Sequence, residues 1–249
     1  MATGKHQYAV IAGSGFQAFG EDAQEHHLTT GFGDPSSPVR ELHYGERTVF
    51  LLARHGDGLL IPPHLINYRA NLAALKSLGV ECIIAMNTIG VITAGQHPGE
   101  IAIPGQIIDY TYGRDHSIYD GESASLDHIE FTEPFAERMR QELRAAAENS
   151  AIAVHEGGVY AVMQGPRLET SAEVNRLERD GADYIGMTAM PEASLARELD
   201  MEYACLSLIV NYAAGRGEKA IHADIEASTV TARTQAMKIL QGIFQDDTS

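Results

Sequence analysis

The sequence predicts a single α/β domain over residues 1–249, built on a largely buried sheet. Three observations carry this. Apolar runs of strand length alternate with segments of helical periodicity along the whole chain. No linker-like composition shift and no internal repeat divides it. A chain of 249 residues, 44% hydrophobic and 21% charged, is long enough and ordinary enough in composition to bury one sizeable core.

The elements follow in order. Residues 7–11 read as a strand feeding the tight loop Gly13-Ser14-Gly15. Residues 34–38 form a loop, and apolar runs at 40–44 and 47–53 flank Gly45-Glu46 as a hairpin. The second strand runs out into Arg54-His55-Gly56-Asp57-Gly58. Pro62-Pro63 ends that loop, and 64–78 reads as a helix with Leu65, Tyr68, Leu72 and Leu75 on one face and Gly79 as its stop. Residues 82–86 form an apolar strand followed by Asn87-Thr88-Ile89-Gly90. Two short apolar pieces surround Pro104-Gly105, and 111–133 is a long loop carrying Arg114, Asp115, His116 and His128. A structureless stretch of that length is usually functional or meets a partner. A helix over 134–149 starts at Pro134, with Phe135, Met139 and Leu143 four apart. Strands at 158–163, 184–186 and 203–210 alternate with helices at 171–179 and 191–199, and a helix over 223–245 closes the chain. Ligands in α/β proteins bind where strands end.

The charge balance narrows the function. Asp and Glu total 34 against 18 Lys and Arg, a formal charge of -16. Duplex nucleic acid is a poor partner for such a chain, and the absence of Trp with only 7% aromatics argues against a stacking platform for single strands. Any bound anion needs a local pocket of donors. Cys82 and Cys205 each sit in an apolar run and read as buried, with no disulfide framework or metal spacing. The start of the chain does not read as a signal peptide, and no run approaches a membrane span. The expectation is a soluble cytoplasmic protein with no membrane partner.

Several polar positions stand at strand ends. Gly13-Ser14-Gly15 lets a backbone approach an anion, or is a plain tight turn; it matches neither a P-loop nor the strict dinucleotide fingerprint. Arg54 offers a fixed fork for phosphate and His55 a proton-bearing donor, or the two are a surface pair. Asn87 and Thr88 either cap a turn or face a ligand. Glu169 is a helix-start acid or a recognition group. Asn211 can donate and accept at once, as a purine edge requires, or is a turn former. The 11 histidines show no metal-ligand spacing, and no serine-hydrolase elbow occurs.

Five segments in register change the weight of these positions: RHG at 54–56 with NYRANLAALKSLG at 67–79, PGEIAIPGQIIDYT at 98–111, QGPRLETSAE at 164–173 and GMTAMPEASLARE at 186–198. Together they resemble the trimeric purine nucleoside phosphorylase and methylthioadenosine phosphorylase family, over nearly the whole chain. The resemblance implies a mixed sheet partly curled into a distorted barrel with flanking helices. It implies cleavage of the N-glycosidic bond of a purine nucleoside by inorganic phosphate, giving a free purine and a pentose 1-phosphate. It places phosphate at Ser14, Arg54, His55, Asn87, Thr88 and Thr188, with Met187 near the ribose. Leu168, Glu169 and Asn211 surround the base, and Tyr212 and Ala213 lie beside them. No cofactor or metal is implied. A homotrimer is, with His128 of segment 111–133 reaching the neighbouring pocket.

Within that family, members acting on 6-aminopurines carry Asp at the positions matching Asn211 and Ala213 and a small residue matching Glu169. Asn211, Glu169 and Ala213 instead follow the 6-oxopurine pattern. Glu169 would accept from the N1–H of hypoxanthine or guanine, which adenine lacks, and Asn211 would donate to N7. For the 5′ group, EKAIH at 218–222 resembles inosine and guanosine phosphorylases, whose His meets the 5′-hydroxyl, here His222. HIEF at 128–131 and the stretches GVYAVMQGPRLET, RLERDGAD and NYAAG resemble the S-methyl-5′-thioinosine phosphorylase subgroup. The expected substrate is S-methyl-5′-thioinosine, inosine or guanosine, with catalytic roles for Asn211, Glu169 and His55. The alternatives are a methylthioadenosine phosphorylase and a non-catalytic purine nucleoside binder.

Overall fold

The computed structural model describes residues 6–13, 23–44, 47–58, 61–119, 121, 126–218 and 225–245. Among these residues eleven strands join one mixed sheet, accompanied by five α-helices. β1 (Tyr8–Ala12) lies parallel between β4 (Arg47–Ala53) and β5 (Cys82–Val91). β4 pairs antiparallel with β3 (Val39–Tyr44), as the hairpin reading expects, and β3 pairs with β2 (Gln24–His26) at the edge. The hairpin turn itself, 45–46, lies outside the described residues.

The sheet forks at β5. Along one edge β5 pairs in parallel with β11 (Glu202–Tyr212), which leads through β6 (Ile101–Ile103) to β8 (Val154–Glu156). Along the other edge β1 covers only residues 82–85. Further up, β10 (Tyr184–Gly186) returns antiparallel to Gly90 and Val91, and β9 (Val159–Met163) and β7 (Gln106–Tyr110) continue that arm in parallel. Residues 86–89 are therefore left between two strand ends, those of β1 and β10. A strand edge that changes partner opens a crevice, the usual place for a ligand in an α/β sheet.

Both faces of β5 are covered, which is why its sequence is continuously apolar rather than alternating. Ile83 and Ala85 pack toward α1 (Tyr68–Ser77) and α4 (Ala189–Glu198), together with Leu72, Leu75 and Leu195. Cys82, Ile84 and Met86 pack the other way, against α2 (Glu137–Asn149) and α5 (Ile225–Gln245), with Met139, Leu143, Ile239 and Phe244. A smaller cluster of Val174, Leu177, Ala182 and Ile185 lies under α3 (Ser171–Arg179).

Four expectations are corrected. The helix expected from residue 64 begins at Tyr68: Asn67 caps it by accepting from the Ala70 N–H, and Pro63–Leu65 form a separate short helical turn. Leu65 is therefore 66% exposed and not on the packed face. The strand expected to stop at Met86 runs on to Val91, because β11 supplies hydrogen-bonding partners along its length. Pro134 precedes its helix, which starts at Glu137, although Phe135 is buried as expected. β2 and β8 carry no apolar run, only Gln-Glu-His and Val-His-Glu, so periodicity does not reveal them.

Candidate active site

A cavity of about 480 Å³ opens at the crevice beside residues 86–89. Its walls come from the loops after β1, β4, β9 and β10, from the upper parts of β5 and β11, and from the start of α5.

The floor is built by a close approach of chains. Arg54 follows β4, and its N–H donates to the Ala12 carbonyl, so it stands level with Gly13. A Cβ on Gly13 would lie 2.5 Å from the Met86 carbonyl oxygen and 3.1 Å from Arg54 Nη1. Glycine is required there because backbone fills that space. Arg54 is fully buried, and its Nε and Nη2 each donate over 2.7 Å to the two carboxylate oxygens of Glu192. Nη1 donates to the Met86 carbonyl over 2.8 Å. Glu192 is also fully buried and accepts from the Tyr203 hydroxyl. Burial works against the charge of Arg54, but Glu192 outweighs it and holds the guanidinium firmly charged. A guanidinium carries five N–H groups, so two remain beyond these three contacts at the cavity wall. Arg54 is thus neither a surface group nor half of a surface pair. Glu192 is the partner that sequence reasoning missed. Its only signal is an acid inside the otherwise apolar stretch 189–193 that opens α4.

His55 lines the same wall with Nδ1 2.8 Å from the Ile61 carbonyl oxygen. A carbonyl only accepts, so Nδ1 carries the proton. Burial, reinforced by the neighbouring Arg54, lowers the imidazole pKa. Nε2 is the ring nitrogen left beyond the Ile61 contact. Thr188 stands at the start of α4, is nearly buried, lines the cavity and makes no capping bond to the helix.

Asn87 lines the cavity from within a continuing strand. Its side-chain oxygen accepts from the Ser207 hydroxyl over 2.6 Å and its amide donates to Cys205 Sγ over 3.3 Å, so the side chain ties β5 to β11 and caps no turn. Its neighbour Thr88 also lines the cavity. Ser14 and His222 lie outside the described residues.

Ile89, Ile185 and Val210 line the same cavity as an apolar group, with Leu168, Glu169, Met187 and Asn211. Glu169 is placed by the helix that follows. Thr170 caps α3 by accepting from the Glu173 N–H, and Glu173 reaches back to the Thr170 N–H, a closed capping box. Arg167 grips the same Glu173. Burial pushes the Glu169 carboxyl above the usual carboxylate range. Asn211 is aimed by an irregularity in β11: the pairing with β5 slips between Ile209 and Asn211. Its amide donates to the Tyr212 carbonyl over 2.8 Å, leaving one N–H and its oxygen. Gly90 makes room, since a Cβ there would lie 2.9 Å from Asn211 Nδ2.

Two expected base-side residues do not line this cavity. Tyr212 points to the opposite side of its strand, where its hydroxyl lies 2.8 Å from His97 Nδ1. It lines a separate groove with Gln96 and Arg216. Ala213 is buried under α3 against Val174 and Ile185. Strand alternation explains Tyr212, because only every second residue shares a face with Asn211. His128 is exposed in an irregular segment and does not line the cavity of its own chain. Ile225 and Thr229 of α5 close the mouth, an apolar and a hydroxyl contribution that no motif signalled. Cys82 and Cys205 are free and buried, as expected.

Comparisons with known proteins agree with this architecture. A family model described as the phosphorylase superfamily matches residues 7–245. A probable S-methyl-5′-thioinosine phosphorylase of Xanthomonas campestris is 43% identical over 221 residues, covering 88% of this chain and 88% of the relative. A 6-oxopurine nucleoside phosphorylase of Pyrococcus furiosus is 42% identical, covering 87% and 84%. Among solved structures, a methylthioadenosine phosphorylase of Schistosoma mansoni in complex with tubercidin superposes with a TM-score of 0.88 at 31% identity, covering 96% of this chain and 90% of that one. With a family model spanning nearly its whole length and relatives above 40% identity, the chain belongs to the phosphorylase superfamily.

Proposed function

We propose that this protein is a 6-oxopurine nucleoside phosphorylase, a pentosyltransferase that cleaves S-methyl-5′-thioinosine, inosine or guanosine with inorganic phosphate. The observation that carries the base preference is that Glu169 and Asn211 line one cavity together with Ile89, Ile185 and Val210. The carboxylate accepts the N1–H of a 6-oxopurine, and the free amide N–H of Asn211 donates to N7. The names of the Xanthomonas and Pyrococcus relatives support the same class. The lower cavity takes phosphate between the remaining N–H groups of Arg54, the Thr188 and Thr88 hydroxyls and the Gly13 backbone. Neutral His55 accepts the hydroxyl of hydrogenphosphate at Nε2.

The chemistry follows from this placement. As the glycosidic bond lengthens, positive charge grows on the sugar and negative charge on the purine. A phosphate oxygen attacks the anomeric carbon from below, and the bond to the purine nitrogen breaks toward Asn211. Phosphate supplies both nucleophile and counter-charge, so catalysis is positioning and electrostatic stabilisation. The reaction needs no cofactor beyond its two substrates, and it is assigned to the cytoplasm, in keeping with two free thiols. The assembly is a homotrimer in which the exposed His128 of one subunit closes the pocket of the next. Particle mass in solution checks this: three subunits are expected, and a fully active monomer overturns it.

The substrate test is a panel of S-methyl-5′-thioinosine, inosine, guanosine and S-methyl-5′-thioadenosine at saturating phosphate. The 6-oxopurine nucleosides are expected to exceed the 6-aminopurine in kcat/KM by up to ~10⁴-fold, because adenine sets its unprotonated N1 against Glu169. Equal turnover of the adenine nucleoside contradicts the assignment.

A further inference from the structure

We propose that Arg114, in the long irregular segment before α2, is a positioning residue that fixes the distance between the two walls of the purine slot. One wall is the loop after β9, which carries Leu168 and Glu169. The other is the turn from β10 into α4, which carries Met187. No backbone hydrogen bond of the sheet reaches across at this level, because β9 and β10 stop pairing at Val162 and Gly186. Arg114 spans the opening. Nη2 donates to the Gln164 carbonyl over 2.8 Å and to the Met163 carbonyl over 3.2 Å. Nη1 donates to the carbonyls of Met187 over 2.8 Å and Met190 over 2.5 Å. Nε donates to the Gln164 side-chain oxygen over 3.1 Å.

A third wall joins the same hub. The Arg114 guanidinium lies 5.6 Å from the centre of the Tyr68 ring, and Nη1 reaches the Tyr68 hydroxyl over 3.3 Å. That hydroxyl donates to the carbonyl of Pro63, which lines the cavity. A planar fork with five donors can hold several carbonyls on diverging chains at once; a lysine ammonium on a flexible stem cannot. Arg114 itself does not line the cavity, so it acts through the loops it holds.

The kinetic consequence rests on the phosphorolysis reading, whereas the structural consequence does not. Arg114→Lys and Arg114→Ala are each compared with wild type in two measurements. In amide hydrogen exchange, segments 163–170 and 186–191 are expected to exchange faster in both variants, with β1 and β4 unchanged. In kinetics, kcat/KM for the nucleoside is expected to fall by about 100-fold, the scale of a misplacement near 1 Å. The phosphate KM is expected to rise as well, because the Met187 and Met190 carbonyls that Arg114 holds flank Thr188. Added guanidinium ion restores part of the lost nucleoside kcat/KM in Arg114→Ala. If that variant does not fold, Arg114→Lys carries both arms.

Unchanged exchange in those two segments, or faster exchange spread over the whole sheet, overturns the proposal. So does a nucleoside kcat/KM that is unchanged in both variants, or one that falls and does not respond to guanidinium in Arg114→Ala. A wild type without phosphate-dependent turnover defeats the phosphorolysis reading alone, and the exchange measurement still decides the clamp.

Discussion

Glu169 meets opposing demands. Recognition of N1–H needs the carboxylate, yet burial raises its pKa and penalises that charge in the empty pocket. A raised folded-state pKa means that its contribution to stability is present below the unfolded value and lost as pH rises. Glu169→Gln is therefore expected to raise the melting temperature at neutral pH while lowering kcat/KM by about 100-fold, the cost of losing a charged hydrogen bond. A thermal melt and one rate assay check both signs. The acid limb of activity on a 6-oxopurine nucleoside should lie above the ordinary Glu value of 4.5, because protonation removes the acceptor. His55 behaves in the opposite sense. Its folded pKa is depressed, so its contribution to stability is present above the ordinary imidazole value of 6.5 and lost as pH falls through the folded one. Proton NMR of the His55 ring in the phosphate-free enzyme is expected to show titration below the ordinary value of 6.5, and titration at or above it would contradict this. The buried Arg54–Glu192 pair carries a further expectation. Glu192→Ala leaves a buried guanidinium without its counter-charge, at a cost of about 3–5 kcal/mol by denaturant unfolding.

At the scale of elements, the site depends on how closely β1, β5 and β11 approach. Gly90→Ala would place a methyl group 2.9 Å from the Asn211 amide and 3.1 Å from Ile185. Asn211 must swing away, and activity is expected to fall by about 100-fold while the fold survives, since only a side chain has to move. Gly13→Ala meets the Met86 carbonyl, which is backbone, so it should cost about 1–3 kcal/mol of stability as well as raise the phosphate KM. Circular dichroism melts beside kinetics separate the two outcomes. These elements also show what a sequence carries. The long apolar runs of β5 and β11, the span of α3 and the proline pair before α1 were all legible, because periodicity and chain breaks are local. The end of β5 was not legible. Asn87 and Thr88 look like a loop, and only pairing with a distant strand keeps them extended. The side-chain roles followed the same rule. Arg54, Glu169, Met187, Thr188 and Asn211, remote from one another in sequence, line one cavity. Glu192 and Arg114 act on neighbours remote in sequence, and no motif announces them.

For the whole molecule, the proposed anion site sits in a chain of charge -16. Arg54 is neutralised internally by Glu192, so a phosphate bound there would rely on directed N–H and O–H donors more than on net positive charge. Phosphate binding should accordingly weaken little with added inert salt, in contrast to a site built from exposed lysines, whose attraction is screened within about 8 Å at physiological ionic strength. A strong salt dependence of the phosphate KM would place the binding charge elsewhere.

The most direct measurement of the central claim is hypoxanthine release from S-methyl-5′-thioinosine, with and without inorganic phosphate, with the sugar product identified. Release that requires phosphate, and yields the methylthiopentose as its 1-phosphate, is the expected result. Hypoxanthine released at the same rate without phosphate, leaving a free sugar, would contradict it and make the protein a hydrolase.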